Sequence, residues 1–226
     1  MNFPESGGNG AGPPLATERL AMVEEQLRRR GIRDERVLGA MLKVPRHEFV
    51  APEHRSQAYA DHPVLIPQRQ TTSQPYIIAS MMQTAEIKPE DRVLEIGAGS
   101  GYQTALLAEL ASQVIAVERH EDLANSARTV LERLGYRNVT VVTGDGTLGW
   151  PALAPYDAII VSAAAPRIPP ALIAQLAPGG RLIIPVGTSE EQVLQLVRKQ
   201  ADGSTITREL EGCRFVPLIG EQGFAA

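Results

Sequence analysis

The chain has 226 residues, 43% hydrophobic and 21% charged, with a formal net charge of −4 and a pI near 5.6. That length suits one α/β domain with a well-buried core, and the acidic balance offers a phosphate backbone no counter-charge. No apolar run reaches the roughly 18 residues a membrane span requires, and the lone Cys213 leaves neither a disulfide framework nor a Cys-based metal site. Cytoplasm is then the default compartment, with no nucleic-acid partner, membrane or metal expected; a monomer is expected too, though nothing in the composition sets the oligomeric state.

Residues 1–15 are rich in Gly and Pro and lack the basic and apolar regions of a signal peptide, so they read as a disordered tail. Thr17 can cap a helix to about Arg30, stopped by Gly31, with Leu20, Val23 and Leu27 at helical spacing. Asp34 caps a second helix carrying Val37, Leu38, Met41 and Leu42, ended by Pro45. Residues 46–60 form a polar connection with a short helix, and His47, His54 and His62 show no metal-ligand spacing. Gln70, Thr71, Thr72, Ser73 and Gln74 then place five uncharged hydrogen-bonding side chains before a helix, 75–86, that Pro75 initiates. Two readings stand: Ser73 or Gln74 caps that helix, or the stretch is a loop that meets a polar ligand.

Val93 to Ile96 is an apolar run with one acid, Glu95, and reads as a buried parallel strand. Gly97, Gly99 and Gly101 follow, and a helical pattern begins at Tyr102. A strand, a glycine turn and a helix open a nucleotide-binding unit, in which the missing Cβ lets backbone approach a ligand. The pattern is G-x-G-x-G, with Tyr102 where a dinucleotide fingerprint has its third glycine, so a cofactor without a pyrophosphate fits better. A plain tight turn is the alternative. Further strands are expected at 113–117, ending in Glu118, then at 139–143, 156–162 and 181–186, with helices at 121–135 and 170–177. Alternation of this kind gives a mostly parallel sheet covered on both faces. Residues 192–199 and 205–216, joined through Asp202-Gly203, read as an antiparallel hairpin at its edge.

Ligands of open α/β sheets sit outside the carboxyl ends of the strands. Glu118 lies about twenty residues past the glycine turn, where an acid bonds a ribose diol. Asp145, between Gly144 and Gly146, can bond an amino group. Each has a plainer explanation, a solvated strand-end carboxylate or an Asp-Gly turn. Together they describe an adenosine site without a pyrophosphate cradle, and S-adenosyl-L-methionine is the common cofactor of that shape.

The stretch from Val93 to Thr104 resembles motif I of protein-L-isoaspartate (D-aspartate) O-methyltransferases. So do Gln70-Thr71-Thr72-Ser73-Gln74-Pro75-Tyr76, Asp145-Gly146 after a strand, and Arg214-Phe215-Val216-Pro217-Leu218, in the right order over residues 17–219. The resemblance implies the Rossmann-like class I methyltransferase fold, with an N-terminal helical extension. It implies one domain over 16–226: a substrate part at 16–86, a cofactor core at 87–200 and a C-terminal strand and tail at 201–226. S-adenosyl-L-methionine would be the methyl donor and S-adenosyl-L-homocysteine the product. Gln70, Thr71, Thr72, Glu95, Gly97, Gly99, Gly101, Glu118, Asp145 and Gly146 would hold it. Ser73 would act beside the methyl donor, and Val216, Pro217 and Leu218 would shape the acceptor slot for isoaspartyl-containing proteins and peptides. Pro67 and Arg69 stand where the family has glycines.

A carboxylate acceptor is already ionised at neutral pH and needs no general base, which agrees with the lack of any His-Asp or Cys-His arrangement. A small-molecule methyltransferase of the same fold is the alternative. A dehydrogenase would need glycine at 102 and a proton-transferring pair.

Overall fold

In a computed structural model that describes residues 15–225, the chain builds a seven-stranded sheet with helices on both faces. The tail expected over 1–15 lies outside the described residues, Leu15 apart. The strands are β1 (Val64–Ile66), β2 (Gln70–Thr72), β3 (Arg92–Ile96), β4 (Gln113–Glu118), β5 (Val139–Thr143), β6 (Tyr156–Val161), β7 (Leu176–Gly187), β8 (Gln192–Lys199) and β9 (Thr205–Cys213). The main sheet has the order β5-β4-β3-β6-β7-β8-β9, parallel from β5 to β7 and antiparallel at the β7–β8–β9 hairpin. Strand order reverses beside β3, whose neighbours are β4 and β6. A crevice therefore opens at the carboxyl end of β3, where the glycine turn lies.

The helices are α1 (Ala16–Ala21), α2 (Glu35–Lys43), α3 (Pro75–Ala85), α4 (Tyr102–Leu110), α5 (Glu121–Arg133) and α6 (Pro170–Gln175). Asp34 caps α2 as expected, its Oδ1 accepting from the N–H groups of Arg36 and Val37. Thr17 caps nothing: α1 starts after Leu15, runs on as a π-helical turn over Met22–Leu27 and tightens over Arg28–Arg30 before Gly31, at φ 100°, ends it. Helix α4 is buried on nearly all sides because the sheet lies on one face and α2 on the other; Met41, Leu38 and Leu27 join Leu106 and Val93 in one core. The opposite face of the sheet buries Leu94, Ile96, Ile159, Val161 and Leu182 against α6 and its flanking turns.

Several boundaries differ from the sequence reading. Helix α6 ends at Gln175, before the expected 177, and β7 begins at Leu176, before the expected 181, because Leu176 pairs with Tyr156 ahead of a register shift. Strand β9 stops at Cys213, because the Gln192 side chain takes the N–H and C=O of Phe215 and turns the chain away from β8. Residues 216–218 then pair with Ala164, Val216 accepting from it and Leu218 donating to it, which carries them across the end of β6. Residues 64–72, of which only Gln70 onward has a sequence reading (helix cap or ligand loop), form the antiparallel hairpin β1–β2. Its tip holds Gln68 and Arg69 at φ 60° and 56°, the left-handed region that glycine occupies without penalty.

Candidate active site

The crevice beside β3 is a cleft open to solvent on one side. One wall is the glycine turn, Gly97 to Ser100, and another the C-terminal end of β4 with Glu118, Arg119 and His120. The hairpin residues Gln70 to Ser73 and the crossing segment Val216 to Ile219 close it, with Gly146, Ser162 and Ala163 at the base. Gly97 and Gly99 take φ 88° and 54°, which folds the turn back so that Gly97 donates to Val117 O at 2.8 Å. Glu118 is buried at its strand end, and each carboxylate oxygen accepts one backbone N–H: Oε2 from Gly99 and Oε1 from His120, both at 2.9 Å. The oxygens keep further acceptor capacity for a diol. Ser100 Oγ is buried on this wall without a hydrogen-bond partner, an orphan that a polar ligand would satisfy.

Of the residues expected to hold the cofactor, three do not reach this cleft. Glu95 points under α4, where Thr104 Oγ1 donates to its Oε2 at 2.5 Å while its Oε1 has no partner. Burial raises its carboxyl to about 8, with the hydrogen bond from Thr104 opposing. Gly101 starts α4 at φ 89° and faces helix α5, where an added Cβ would lie 3.1 Å from that of Ala127. It is a helix-packing glycine. Asp145 turns its carboxylate away: Oδ1 accepts from Thr147 N and Oγ1, and Oδ2 from Glu221 N. Burial alone would raise its carboxyl, but the bonds from Glu221 and Thr147 outweigh it and hold it low. Gly146 beside it does line the cleft, and an added Cβ there would strike Ile96 at 2.5 Å.

A second cavity runs between the N-terminal end of α3 and the strand exit at Cys213–Phe215, with Arg30, Tyr76 and Ile77 on its wall. The two cavities share Thr71, Ser73, Ser162 and Val216. Ser73 is not a helix cap, since the N-cap of α3 is Gln74 and no side-chain bond caps it.

Several residues of the site are absent from the sequence reading. Ser162 and His120 sit just past the ends of β6 and β4, where the strand-end rule could have found them. Gln103 Nε2 donates to Ser162 Oγ at 2.8 Å and fixes that hydroxyl. Arg46 gave no local signal. It is fully buried behind the hairpin and donates to Ala58 O at 2.7 Å, Thr72 Oγ1 at 3.2 Å and Ser73 O at 2.8 Å. Its guanidinium lies 4.7 Å from the Tyr102 ring centroid, so the aromatic at position 102 packs under a cation. Among the described residues no group of His, Cys, Asp or Glu could hold a metal ion, and no helix is long and apolar enough to cross a membrane.

A mostly parallel sheet with its ligand cleft at the β3 switch point, a G-x-G-x-G turn, an acid closing β4 and an antiparallel β8–β9 edge define a class I S-adenosylmethionine-dependent methyltransferase. Residues 17–223 match the model of the protein-L-isoaspartate(D-aspartate) O-methyltransferases, and the chain belongs to that family. The protein-L-isoaspartate O-methyltransferase of Koribacter versatilis is 57% identical over 211 residues, covering 93% of this chain and 95% of its own. That of Methanoculleus marisnigri is 54% identical over 212 residues, covering 93% and 96%. A Plasmodium falciparum protein-L-isoaspartate O-methyltransferase, solved in complex with S-adenosyl-L-homocysteine, superposes with TM-score 0.77 at 30% identity over 88% of this chain and 97% of that one.

Proposed function

We infer that this chain transfers a methyl group from S-adenosyl-L-methionine to the α-carboxylate of L-isoaspartyl residues in damaged proteins and peptides, with Ser73 beside the transferred group. When bound, the sulfonium supplies an electrophilic methyl. The observation that carries the assignment of roles is the wall common to both cavities: a donor held along Glu118 and the glycine turn and an acceptor entering past Tyr76 would meet at Thr71, Ser73, Ser162 and Val216.

The chain's own task is alignment. An acceptor carboxylate is ionised without help, so the wall needs donors that orient it and no base. Its hydroxyls are neutral, and they can turn a carboxylate oxygen toward the methyl without the strong ion pairing that would stabilise the nucleophile. The hairpin and the crossing segment Val216–Ile219 flank the cleft, which would limit the water that reaches a bound donor. Esterification converts the carboxylate into a good leaving group; the next backbone nitrogen then closes a succinimide, whose hydrolysis returns some normal aspartate.

On this reading residues 16–86 and 201–226 build the acceptor side and 87–200 the donor side of one domain, which fits the origins of the second cavity's walls. We also read the protein as a cytoplasmic monomer that acts on neither nucleic acid nor membrane. Its net charge of −4 and its lone Cys213 support that reading. The test is methyl transfer from labelled cofactor to a synthetic isoaspartyl peptide, with its aspartyl twin as control. Methylation of the isoaspartyl peptide alone is expected, and equal rates on the two would overturn the assignment.

A further inference from the structure

Arg46 is a fully buried cation with no carboxylate partner among the described residues. Its partners are a carbonyl of Ala58, a carbonyl of Ser73, the Thr72 hydroxyl oxygen and the face of Tyr102. All are neutral, so a full positive charge remains. An unpaired charge is expensive to bury, and carbonyl oxygens alone do not require one, since neutral donors could satisfy them. The contrast with the other buried arginine is direct: Arg181 pairs with buried Asp91.

The place of this charge gives it a use. Thr72, Ser73 and Tyr102 all line the donor cleft, and Ser73 also lines the acceptor cavity. Arg46 lies one layer behind them. We propose that Arg46 is a positioning residue for the acceptor, whose charge draws the isoaspartyl α-carboxylate to the Thr72–Ser73 face of the wall. It does so by two physical routes. Its field acts through Thr72 and Ser73, which it touches directly, and a buried charge is screened less than an exposed one. Because Nη1 donates to Thr72 Oγ1, the hydroxyl is polarised and its hydrogen is left to donate elsewhere, which strengthens any bond it makes to an anion.

Acting from behind the wall suits the chemistry. Methyl transfer consumes the negative charge of the acceptor, so a cation in contact would stabilise the substrate more than the transition state and slow the step. A cation at one remove raises occupancy and selectivity at smaller cost. Arg46 should therefore act mainly on KM for the peptide and little on kcat or on cofactor affinity.

The inference rests on the carboxylate-methylation reading, and the experiment separates the two. Two isoaspartyl peptides, one with the free α-carboxylate and one with an α-carboxamide in its place, are titrated by calorimetry into the full-length protein saturated with S-adenosyl-L-homocysteine. The wild type, Arg46→Met and Arg46→Lys are compared. The wild type should bind the carboxylate peptide about tenfold or more tightly than the amide, the scale of one charge acting without contact. Arg46→Met should lose that preference while keeping its affinity for the amide, and Arg46→Lys should retain most of it. An Arg46→Met protein that weakens for both peptides equally, or keeps the preference, makes Arg46 a structural buttress and overturns the proposal. Should Arg46→Met not fold, Arg46→Lys decides alone: preference retained supports the charge, preference lost refutes it. A wild type that methylates no isoaspartyl peptide overturns the functional reading itself, and this inference with it.

Discussion

Glu118 holds Gly99: its Oε2 accepts the glycine N–H at 2.9 Å, while Oε1 takes the N–H of His120. The acid expected to serve only a ribose thus also ties the glycine turn to the next strand. Glu118→Ala should weaken cofactor binding roughly ten- to hundredfold and also destabilise the free protein by about 1–3 kcal/mol, as two charge-assisted bonds are lost. Calorimetry and thermal melting of the ligand-free variant measure the two effects. An unchanged melt with weakened binding would mean the turn holds its shape unaided.

Ser73→Ala should lower turnover on an isoaspartyl peptide by about tenfold to a hundredfold and leave cofactor affinity within a few-fold, as expected of a group that orients the nucleophile. Single-turnover methylation at saturating cofactor is the measurement. Wild-type rates would leave Ser73 as mere wall.

Gly101→Ala should behave oppositely. The new methyl meets Ala127 at 3.1 Å and Leu131 at 3.3 Å, and φ 89° is unfavourable for any L residue. A loss of about 1–3 kcal/mol of stability is expected with little change in cofactor affinity. A large affinity loss at unchanged stability would return Gly101 to the binding site.

At the hairpin tip, Arg69 sits at φ 56° with an ordinary side chain. Arg69→Gly should relieve backbone strain of about 1–2 kcal/mol against a chain-entropy cost of about 0.5–1, so the melting temperature should hold or rise slightly. Arg69→Val should lower it, because a β-branched residue tolerates that conformation least. Indistinguishable glycine and valine variants would show that the tip carries no strain.

Glu95 gives the protein a defined pH dependence. In the native state its carboxyl titrates near 8, against 4.5 as the ordinary glutamate value. The unfolded chain releases this proton first, so the stability it contributes is complete below about 4.5 and is lost as pH rises toward 8. Glu95→Gln removes the titration. Wild-type melting temperature should fall relative to the variant between pH 5 and pH 8, and parallel curves would place the native carboxyl in the ordinary range.

The sheet was legible because each parallel strand is a near-continuous apolar run bounded by turn residues, and the ends of Val139–Thr143 and Tyr156–Val161 fall within a residue of expectation, whereas β7 begins at Leu176, five residues before the expected 181, where Leu176 pairs with Tyr156 ahead of a register shift. The cleft was legible through the strand-end rule, which put Gly97, Gly99, Glu118 and Gly146 on one site. What failed was side-chain direction. Glu95 and Asp145 occupy strand-end positions, yet one turns under α4 and the other toward Glu221, and spacing alone carries no information on which way a carboxylate points. The hairpin β1–β2 escaped because its turn, Pro67-Gln68-Arg69, lacks the glycine or asparagine that marks such turns. Arg46 escaped because its partners lie 12, 26 and 27 residues away.

The route proposed for the acceptor has a consequence for the molecules this protein would mend. On the proposed route an acceptor passes between Tyr76 and the Cys213–Phe215 corner to reach Ser73, and an extended segment is the shape that route suits. An altered residue locked inside a helix or a packed sheet of its own protein cannot present itself that way. Access is then controlled by the client, through the fraction of time its damaged segment is locally unfolded. Rigid clients would accumulate lesions that loose ones lose, and the measured repair rate on a folded client should track that client's opening equilibrium more closely than the chemistry at Ser73.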